Sequence, residues 1–227
     1  MAILVVDSVE KIYDGGLRPV AALRGVSFEA AAGEFTALMG PSGCGKSTLL
    51  HLIGGMDFPS RGVVLLDGVA LNELGEEALA RVRRTKIGFV FQFFNLLPTL
   101  TVAENVALPL LLDGASENKS RDRVNALLDR VGLAARADHF PAQLSGGEMQ
   151  RAAVVRAIIA EPKLVLADEP TGNLDTENGT QVIRLLADLN RELGVTVVLA
   201  THSDEAARYA SRTIRMRDGM IHQDSNK

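Results

Sequence analysis

Eight consecutive residues, Gly40–Ser47, match the pattern of two glycines separated by four residues and followed by Lys and Ser. Glycines allow backbone N–H groups to turn inward around phosphate oxygens, and a following helix N-terminus adds partial positive charge. Lys46 would reach the β- and γ-phosphates of a nucleoside triphosphate, and Ser47 would bind Mg²⁺. Apolar runs on both sides predict a strand before the loop and a helix after it. The predicted phosphate-binding residues are Gly40, Pro41, Ser42, Gly43, Cys44, Gly45, Lys46, Ser47 and Thr48.

Two adjacent carboxylates, Asp168 and Glu169, follow the apolar run Leu164–Ala167. Because neighbouring side chains on a strand point to opposite sides, we expect them to have different roles. Asp168 would bind Mg²⁺, directly or through water, and Glu169 would polarise the attacking water. The alternative is an ordinary solvated acidic turn, but the phosphate loop in the same chain favours the catalytic interpretation. His202 could contact the γ-phosphate, although a lone histidine after a strand is more often structural.

The stretch Leu144–Glu148 contains a second candidate anion site. Ser145 and Glu148 form a capping-box pattern, and the residues that follow favour a helix. Gly146 and Gly147 within the first helical turn cost roughly 1 kcal/mol each, which makes sense if another group must approach the backbone closely. A well-capped helix is the simpler interpretation. Because the first loop already binds phosphate, a second cradle suggests that two copies of the chain share each nucleotide.

Four apolar runs each end at polar residues, which predicts a parallel sheet with one site at its edge. These runs are Thr36–Met39, Gly88–Phe91 before Gln92, Leu164–Ala167 and Val195–Ala200. Residues 2–35 alternate and turn, at Gly15-Gly16, Gly25 and Gly33, as antiparallel strands do, and residues 92–162 have a mainly helical pattern. A helix with apolar residues Val182, Leu185, Leu186 and Leu189 links the last two runs.

These motifs together resemble the nucleotide-binding subunit of ATP-binding-cassette (ABC) transporters, over about residues 3–222. Gly40–Ser47 resembles the family's Walker A motif, Leu164–Glu169 its Walker B motif, and Leu144–Arg151 its signature motif. Gln92 lies at the position of the Q-loop, Asn173–Asp175 at that of the D-loop, His202 at that of the switch histidine, and Tyr13 at that of the aromatic residue that stacks on adenine.

The resemblance implies an α/β fold: a P-loop NTPase core with a parallel sheet, an N-terminal antiparallel β subdomain and an inserted α-helical subdomain. One ABC ATPase domain would cover residues 1–227, with the core in about 1–91 and 163–227 and the helical subdomain in about 92–162. The implied catalytic residues are Glu169, His202 and Lys46, and the implied Mg²⁺ ligands are Ser47, Gln92 and Asp168. Besides the phosphate loop, the implied ATP-binding residues are Tyr13, Gln92, Ser145, Gly146, Gly147, Glu148 and Asp175.

The resemblance also implies partners. Two copies would form a homodimer head to tail around ATP and Mg²⁺, and the region Gln92–Leu100 would contact a membrane permease. The segments Phe89–Leu110 and Asp168–Asp175 look most like the lipoprotein-release and macrolide-efflux group, whose permeases have four membrane helices. An ATPase that regulates a cell-envelope or division machine, and a soluble ABC protein of DNA repair or translation, remain alternatives. A plain P-loop kinase or GTPase does not account for Leu144–Arg151.

Composition agrees with these expectations. A net charge of −4 gives no support for nucleic-acid binding, and the basic run Arg81, Arg83, Arg84 and Lys86 is interpreted as a solvated helix face. The single cysteine, Cys44, excludes an intrachain disulfide and suits a reducing cytosol. The start of the chain lacks the features of a signal peptide, and no apolar run reaches the length of a membrane span. We therefore expect a soluble protein that reaches the cytoplasmic face of the cell membrane only through its permease.

Overall fold

A computed structural model describes residues 2–14 and 18–226 of the chain. The elements are β1 (Ala2–Tyr13), β2 (Val20–Ala31), β3 (Phe35–Met39), α1 (Lys46–Ile53), β4 (Arg61–Leu66), β5 (Val69–Ala70), α2 (Glu76–Lys86), β6 (Ile87–Phe91), α3 (Val102–Leu112), α4 (Glu117–Arg130), α5 (Gly146–Ile158), β7 (Leu164–Asp168), α6 (Thr176–Leu193), β8 (Thr196–Thr201), α7 (Asp204–Ala207), β9 (Arg212–Arg217) and β10 (Met220–Asn226).

The strands form two sheets. An antiparallel sheet has the order β2-β1-β4-β5, and a second sheet has the order β10-β9-β3-β8-β7-β6. In the second sheet all neighbouring pairs are parallel except β9 and β10. The predicted α/β fold, with a parallel sheet and an N-terminal antiparallel sheet, is confirmed. Strands β9 and β10 are additions that the apolar pattern did not predict.

The second sheet is buried on both faces, because alternate residues of its strands point into different cores. In β7, Leu164 and Leu166 pack into a cluster with the antiparallel sheet and α1. Val165 and Ala167 pack on the opposite face, in a cluster that includes α6. This two-sided burial explains why these strands are continuously apolar in sequence.

Helices α3, α4 and α5 lie between β6 and β7 in the chain and share a third core cluster. The capping box at the start of α3 is present: the Thr101 hydroxyl accepts a hydrogen bond from the Glu104 N–H at 3.2 Å. Residues 93–101 contain no helix, so the helical pattern begins later than the sequence suggests. Phe94 and Asn95 in this segment have φ angles of 61° and 51°. The Arg156 guanidinium donates hydrogen bonds to both of their carbonyl oxygens.

Two smaller expectations need correction. Gly25 is not a turn between strands: it lies inside β2 with φ of 79°, where the pairing with β1 shifts register. The basic residues of α2 are also not simply solvated. Arg83 donates to the Gly55 carbonyl. Arg84 forms an ion pair with Asp113, and Lys86 forms one with Asp67. Gly33 lies in a turn, as expected. The predicted Gly15-Gly16 turn lies outside the described residues.

Candidate functional site

The phosphate loop connects β3 to α1, and close backbone contacts require two of its glycines, Gly40 and Gly45. A Cβ atom at Gly40 would lie 2.3 Å from the Met216 carbonyl oxygen, and one at Gly45 would lie 2.6 Å from that of Ala22. Gly45 is also the N-cap of α1, with φ of 104° and no side chain to bond the first N–H groups of the helix. The loop therefore presents a helix N-terminus with free donors, which is suited to phosphate.

Lys46 lies across the inside of this loop. Its ammonium group donates to the carbonyl oxygens of Gly40 at 2.8 Å and Pro41 at 3.2 Å. The same nitrogen lies 3.5 Å from Glu169 Oε1, and only 6% of the Lys46 side chain is exposed. The folded chain thus brings together two residues that are far apart in sequence and were both predicted to be catalytic.

Ser47, at the start of α1, is in direct contact with Asp168, at the end of β7. Both are predicted magnesium ligands. The Ser47 hydroxyl donates to Asp168 Oδ1 at 3.0 Å. Burial raises the pKa of the Asp168 carboxyl, while the Ser47 hydrogen bond and the charges of His51 and Lys46 oppose this change. One carboxylate and one hydroxyl fit Mg²⁺, which commonly takes its other ligands from water and substrate phosphates.

Glu169 follows β7 in a left-handed conformation, with φ of 46°, which is uncommon for a residue with a side chain. Its N–H donates to the Ala200 carbonyl at 3.0 Å, which ties this residue to β8. Glu169 Oε2 lies 2.9 Å from Nδ1 of His202. Because a carboxylate only accepts hydrogen bonds, Nδ1 donates, and Nε2 of His202 has no hydrogen-bond partner among the residues that the structure describes. Asp168 and Glu169 therefore take different partners, as expected.

Gln92 lines the same pocket as Lys46 and Glu169, and it contacts the segment predicted to be the D-loop. Asn173 donates through Nδ2 to the Gln92 carbonyl at 3.0 Å. A Cβ atom at Gly172 would lie 2.7 Å from Gln92 Nε2. The loops after β6 and β7 are therefore packed directly against each other.

The pocket has a volume of about 580 Å³, and about half of its lining was not predicted from sequence. The predicted lining residues are Ser42, Gly43, Gly45, Lys46, Ser47, Thr48, Gln92 and Glu169, and the residues that sequence analysis missed are Val20, Ala21, Ala22, Arg24, Asp218 and Gly219. The Asp218-Gly219 turn joins β9 to β10, and the Gly219 N–H donates to the Cys44 carbonyl at 3.1 Å. An Asp-Gly pair is a hairpin signal that could have revealed this turn.

Ser145–Glu148 are not among the residues that line this pocket. They form the predicted capping box of α5: the Ser145 hydroxyl donates to Glu148 Oε2 at 2.8 Å and accepts from the Glu148 N–H at 3.3 Å. Hydrogen bonds from the Ser145 N–H and hydroxyl, with a further contribution from Arg136, lower the pKa of Glu148 to about 2. The carboxylate is therefore charged at neutral pH and completes the cap.

The structural reason for a glycine at position 147 differs from the one suggested by the sequence. A Cβ atom there would lie 2.2 Å from Oδ1 of Asn178 in the same chain. Asn178 also donates from its backbone N–H and from Nδ2 to the Asp175 carboxylate, at 2.8 and 2.7 Å. The group that approaches the backbone of Gly147 is therefore Asn178, which joins the start of α5 to Asp175, the N-cap of α6.

Comparison with known proteins assigns this arrangement to a family. The sequence profile of the ABC transporter family matches residues 23–172. The chain belongs to this family. ABC transporter ATP-binding proteins are ATPases, and this chain is therefore an ATP-binding ATPase.

Individual proteins that are similar to this chain agree with the family assignment. An uncharacterized ABC transporter ATP-binding protein of Thermotoga maritima is 49% identical over 94% of this chain and 91% of its own length. The macrolide export ATP-binding/permease protein MacB of Bdellovibrio bacteriovorus is 46% identical over 96% of this chain, which spans 33% of MacB. Among solved structures, a dimer of the ATP-binding cassette MJ0796 in a post-hydrolysis state with ADP and Pi has a TM-score of 0.91 and 42% identity over 98% of both chains.

The contact between Gly147 and Asn178 yields a stability prediction. We expect Gly147→Ala to lower the free energy of unfolding by about 1–3 kcal/mol, because the new methyl group overpacks the junction of α5 and α6. Adding Asn178→Ala should restore part of this loss, since the clashing Oδ1 and Cγ atoms are removed. Urea denaturation of the single and double variants measures the coupling.

Gly179→Ala is the matched control, because a Cβ atom there meets Thr171 only at an ordinary 3.4 Å and alanine favours the helix. It should cause no loss of stability. Strictly additive effects of Gly147→Ala and Asn178→Ala would contradict the packing explanation.

Proposed function

We propose that this chain is the ATP-hydrolysing subunit of a transporter of the lipoprotein-release or macrolide-efflux type, and that it works as a homodimer. One observation carries the proposal: direct contacts join residues that end or follow three separate strands. Lys46 contacts Glu169, Ser47 contacts Asp168, and His202 contacts Glu169. The sequence similarity to MacB, a macrolide export ATP-binding/permease protein, supports the choice of group.

In the proposed reaction, the phosphate loop and Lys46 hold the triphosphate, and Glu169 is the general base. Glu169 would accept a proton from the attacking water, while His202, oriented by its Nδ1 hydrogen bond, presents Nε2 to the γ-phosphate. Ser47, Asp168 and Gln92 would hold Mg²⁺, which neutralises charge that develops on the phosphates. Tyr13 would stack on adenine.

The proposed homodimer explains why Ser145 lies away from the pocket of its own chain. If two copies associate head to tail, Ser145, Gly146, Gly147, Glu148 and Asp175 of one copy complete the site of the other. The dimeric state of the MJ0796 cassette supports this arrangement. We further propose that the entire chain, residues 1–227, acts as one ATPase domain, with residues 92–162 as its helical subdomain.

A groove beside the Gln92 loop is the proposed docking site for the permease. The groove measures about 520 Å³ and lies between α2, β6, α3 and α5. Apolar side chains including Phe89, Leu108 and Leu112 line it, together with Arg83, Arg84 and Arg156. Leu112 is 63% exposed, and Phe93, next to Gln92, is 72% exposed. Contiguous exposed apolar patches commonly mark a protein interface. A permease segment bound here would sense the position of Gln92.

The permease would also account for membrane location. Within residues 2–14 and 18–226, the structure contains no helix that is long and apolar enough to cross a membrane. We propose that the chain is held at the cytoplasmic face of the cell membrane by its permease.

Replacement of the proposed base tests the enzymatic part of the proposal. We expect Glu169→Gln to reduce the turnover of ATP by at least about 100-fold, because an amide cannot accept the proton from water. The affinity for ATP should stay within a few-fold of the original, since Lys46 and the phosphate loop are intact. Phosphate release and equilibrium binding measure the two quantities.

Glu76→Gln, the same chemical change at an exposed position on α2, is the matched control and should leave turnover unchanged. Normal turnover in Glu169→Gln would remove Glu169 from the role of general base.

The groove provides a test of the permease part. We expect the neighbouring reading frame to encode a permease with four membrane helices and a large external domain, and the two proteins to copurify. Leu112→Asp should abolish copurification, because it replaces an exposed apolar side chain of the groove with a charge. Leu193→Asp is the matched control, since Leu193 is 53% exposed at the far end of α6.

Equal binding by both variants, each checked for unchanged thermal unfolding, would place the docking site elsewhere. A neighbouring frame that encodes a regulator of cell-wall synthesis or division instead would favour the alternative function.

A further inference from the structure

The side chains that hold Tyr13 have a role that rests on the proposed function, in which Tyr13 binds adenine. Tyr13 is the last residue of β1, and 40% of it is exposed. A large, exposed aromatic ring at the end of a strand would normally sample several rotamers. Tyr13 is instead held at two points by charged groups that belong to different parts of the chain.

The first point is the hydroxyl group. It donates to Asp57 Oδ2 at 2.9 Å, and Asp57 lies in the loop after α1. The second point is the ring, whose centroid lies 4.9 Å from the Lys11 ammonium group. This distance is within the range of a cation–π interaction. Together the two contacts restrict both the direction and the rotation of the ring.

Lys11 and Asp57 also hold each other. The Lys11 ammonium donates to Asp57 Oδ1 at 2.6 Å and to the Phe58 carbonyl oxygen at 2.8 Å. The Phe58 N–H donates to the same carboxylate oxygen at 2.7 Å. Only 12% of the Lys11 side chain is exposed, so this ion pair is partly shielded from water. The partners of Tyr13 are therefore fixed before any ligand arrives.

The protonation states agree with this geometry. Burial, together with the hydrogen bond and charge of Asp57, raises the pKa of the Tyr13 hydroxyl, and Thr48 acts in the opposite direction. Burial also opposes ionisation of Asp57, but hydrogen bonds from Lys11, the Phe58 N–H and Tyr13 outweigh it and lower its pKa. At neutral pH a protonated hydroxyl therefore donates to a charged carboxylate, which is a strong type of hydrogen bond.

We propose that Asp57 and Lys11 are positioning residues for nucleotide binding, which hold the Tyr13 ring in the orientation that stacks on the adenine base. Thr48, a neighbour of Tyr13, also lines the phosphate pocket, so the ring is held beside the site that binds the triphosphate. A ring that is already immobilised loses less conformational freedom when the base binds, and the affinity for the nucleotide increases accordingly.

A purely structural role for these residues is the competing explanation, because the Lys11–Asp57 pair also joins β1 to the loop after α1. The two explanations differ in what they predict for ligands with and without a base. Positioning of Tyr13 affects only ligands that carry adenine. Distortion of the fold near α1 would also weaken binding of inorganic tripolyphosphate, which uses the phosphate loop alone.

The experiment compares the dissociation constants of ATP and tripolyphosphate for three single variants and one double variant. Tyr13→Phe keeps the ring and the Lys11–Asp57 pair but removes the tether. We expect it to raise the dissociation constant of ATP about three- to tenfold and to leave that of tripolyphosphate unchanged. Asp57→Ala should have a similar or larger effect on ATP, and the double variant should be no worse than Asp57→Ala, because both changes break the same hydrogen bond.

Tyr13→Ala separates this inference from the proposed function on which it rests. It should weaken ATP binding more than Tyr13→Phe does, since the ring itself is lost. If Tyr13→Ala weakens ATP binding while Tyr13→Phe does not, the tether is overturned and the role of the ring stands. If Tyr13→Ala has no effect, the assignment of Tyr13 to adenine is overturned. Equal weakening of ATP and tripolyphosphate binding, or additive effects in the double variant, would overturn the positioning role.

Discussion

Strands β6, β7, β8 and β3 end at the same level of the sheet, because Phe91 pairs with Asp168, Asp168 pairs with Ala200, and Met39 pairs with Thr201. This register is the constraint on which the site depends. It brings the ends of these strands together, so that Glu169 contacts His202 and Asp168 contacts Ser47. A shift of one residue in any strand would turn its polar end away from the pocket and its apolar side chains out of the two cores.

The register also explains the strain at Glu169. At Glu169 the chain leaves β7, while the Glu169 N–H still donates to the Ala200 carbonyl of β8. The left-handed conformation of Glu169 allows both. The side chain then lies between Lys46 and His202. Backbone strain is concentrated where other groups hold a residue in place and where geometry matters for chemistry. Glu169 is held by its hydrogen bond to Ala200 and by its side-chain contacts with Lys46 and His202.

Much of the fold and site could be predicted because the signals are local. Continuous apolar runs identified the buried strands, and capping residues located the starts of α3 and α5. Features that depend on distant pairing could not be predicted. One example is the parallel pairing of β9 with β3, which brings the Asp218-Gly219 turn to the phosphate loop. Another is Asn178, whose contact with Gly147 requires α5 and α6 to be packed. The resemblance suggested a role for Tyr13, but nothing local in sequence indicated that Asp57 holds it.

In the proposed dimer two chains share each nucleotide, with Lys46 on one side and the partner copy's signature motif on the other. Sedimentation velocity of hydrolysis-blocked Glu169→Gln with Mg·ATP, alone and with Ser145→Arg added in a second sample, tests this proposal. We expect an ATP-dependent dimer for Glu169→Gln and a monomer that still binds ATP for the double variant. A monomer in both samples, or an equally stable dimer in both, would contradict the shared site.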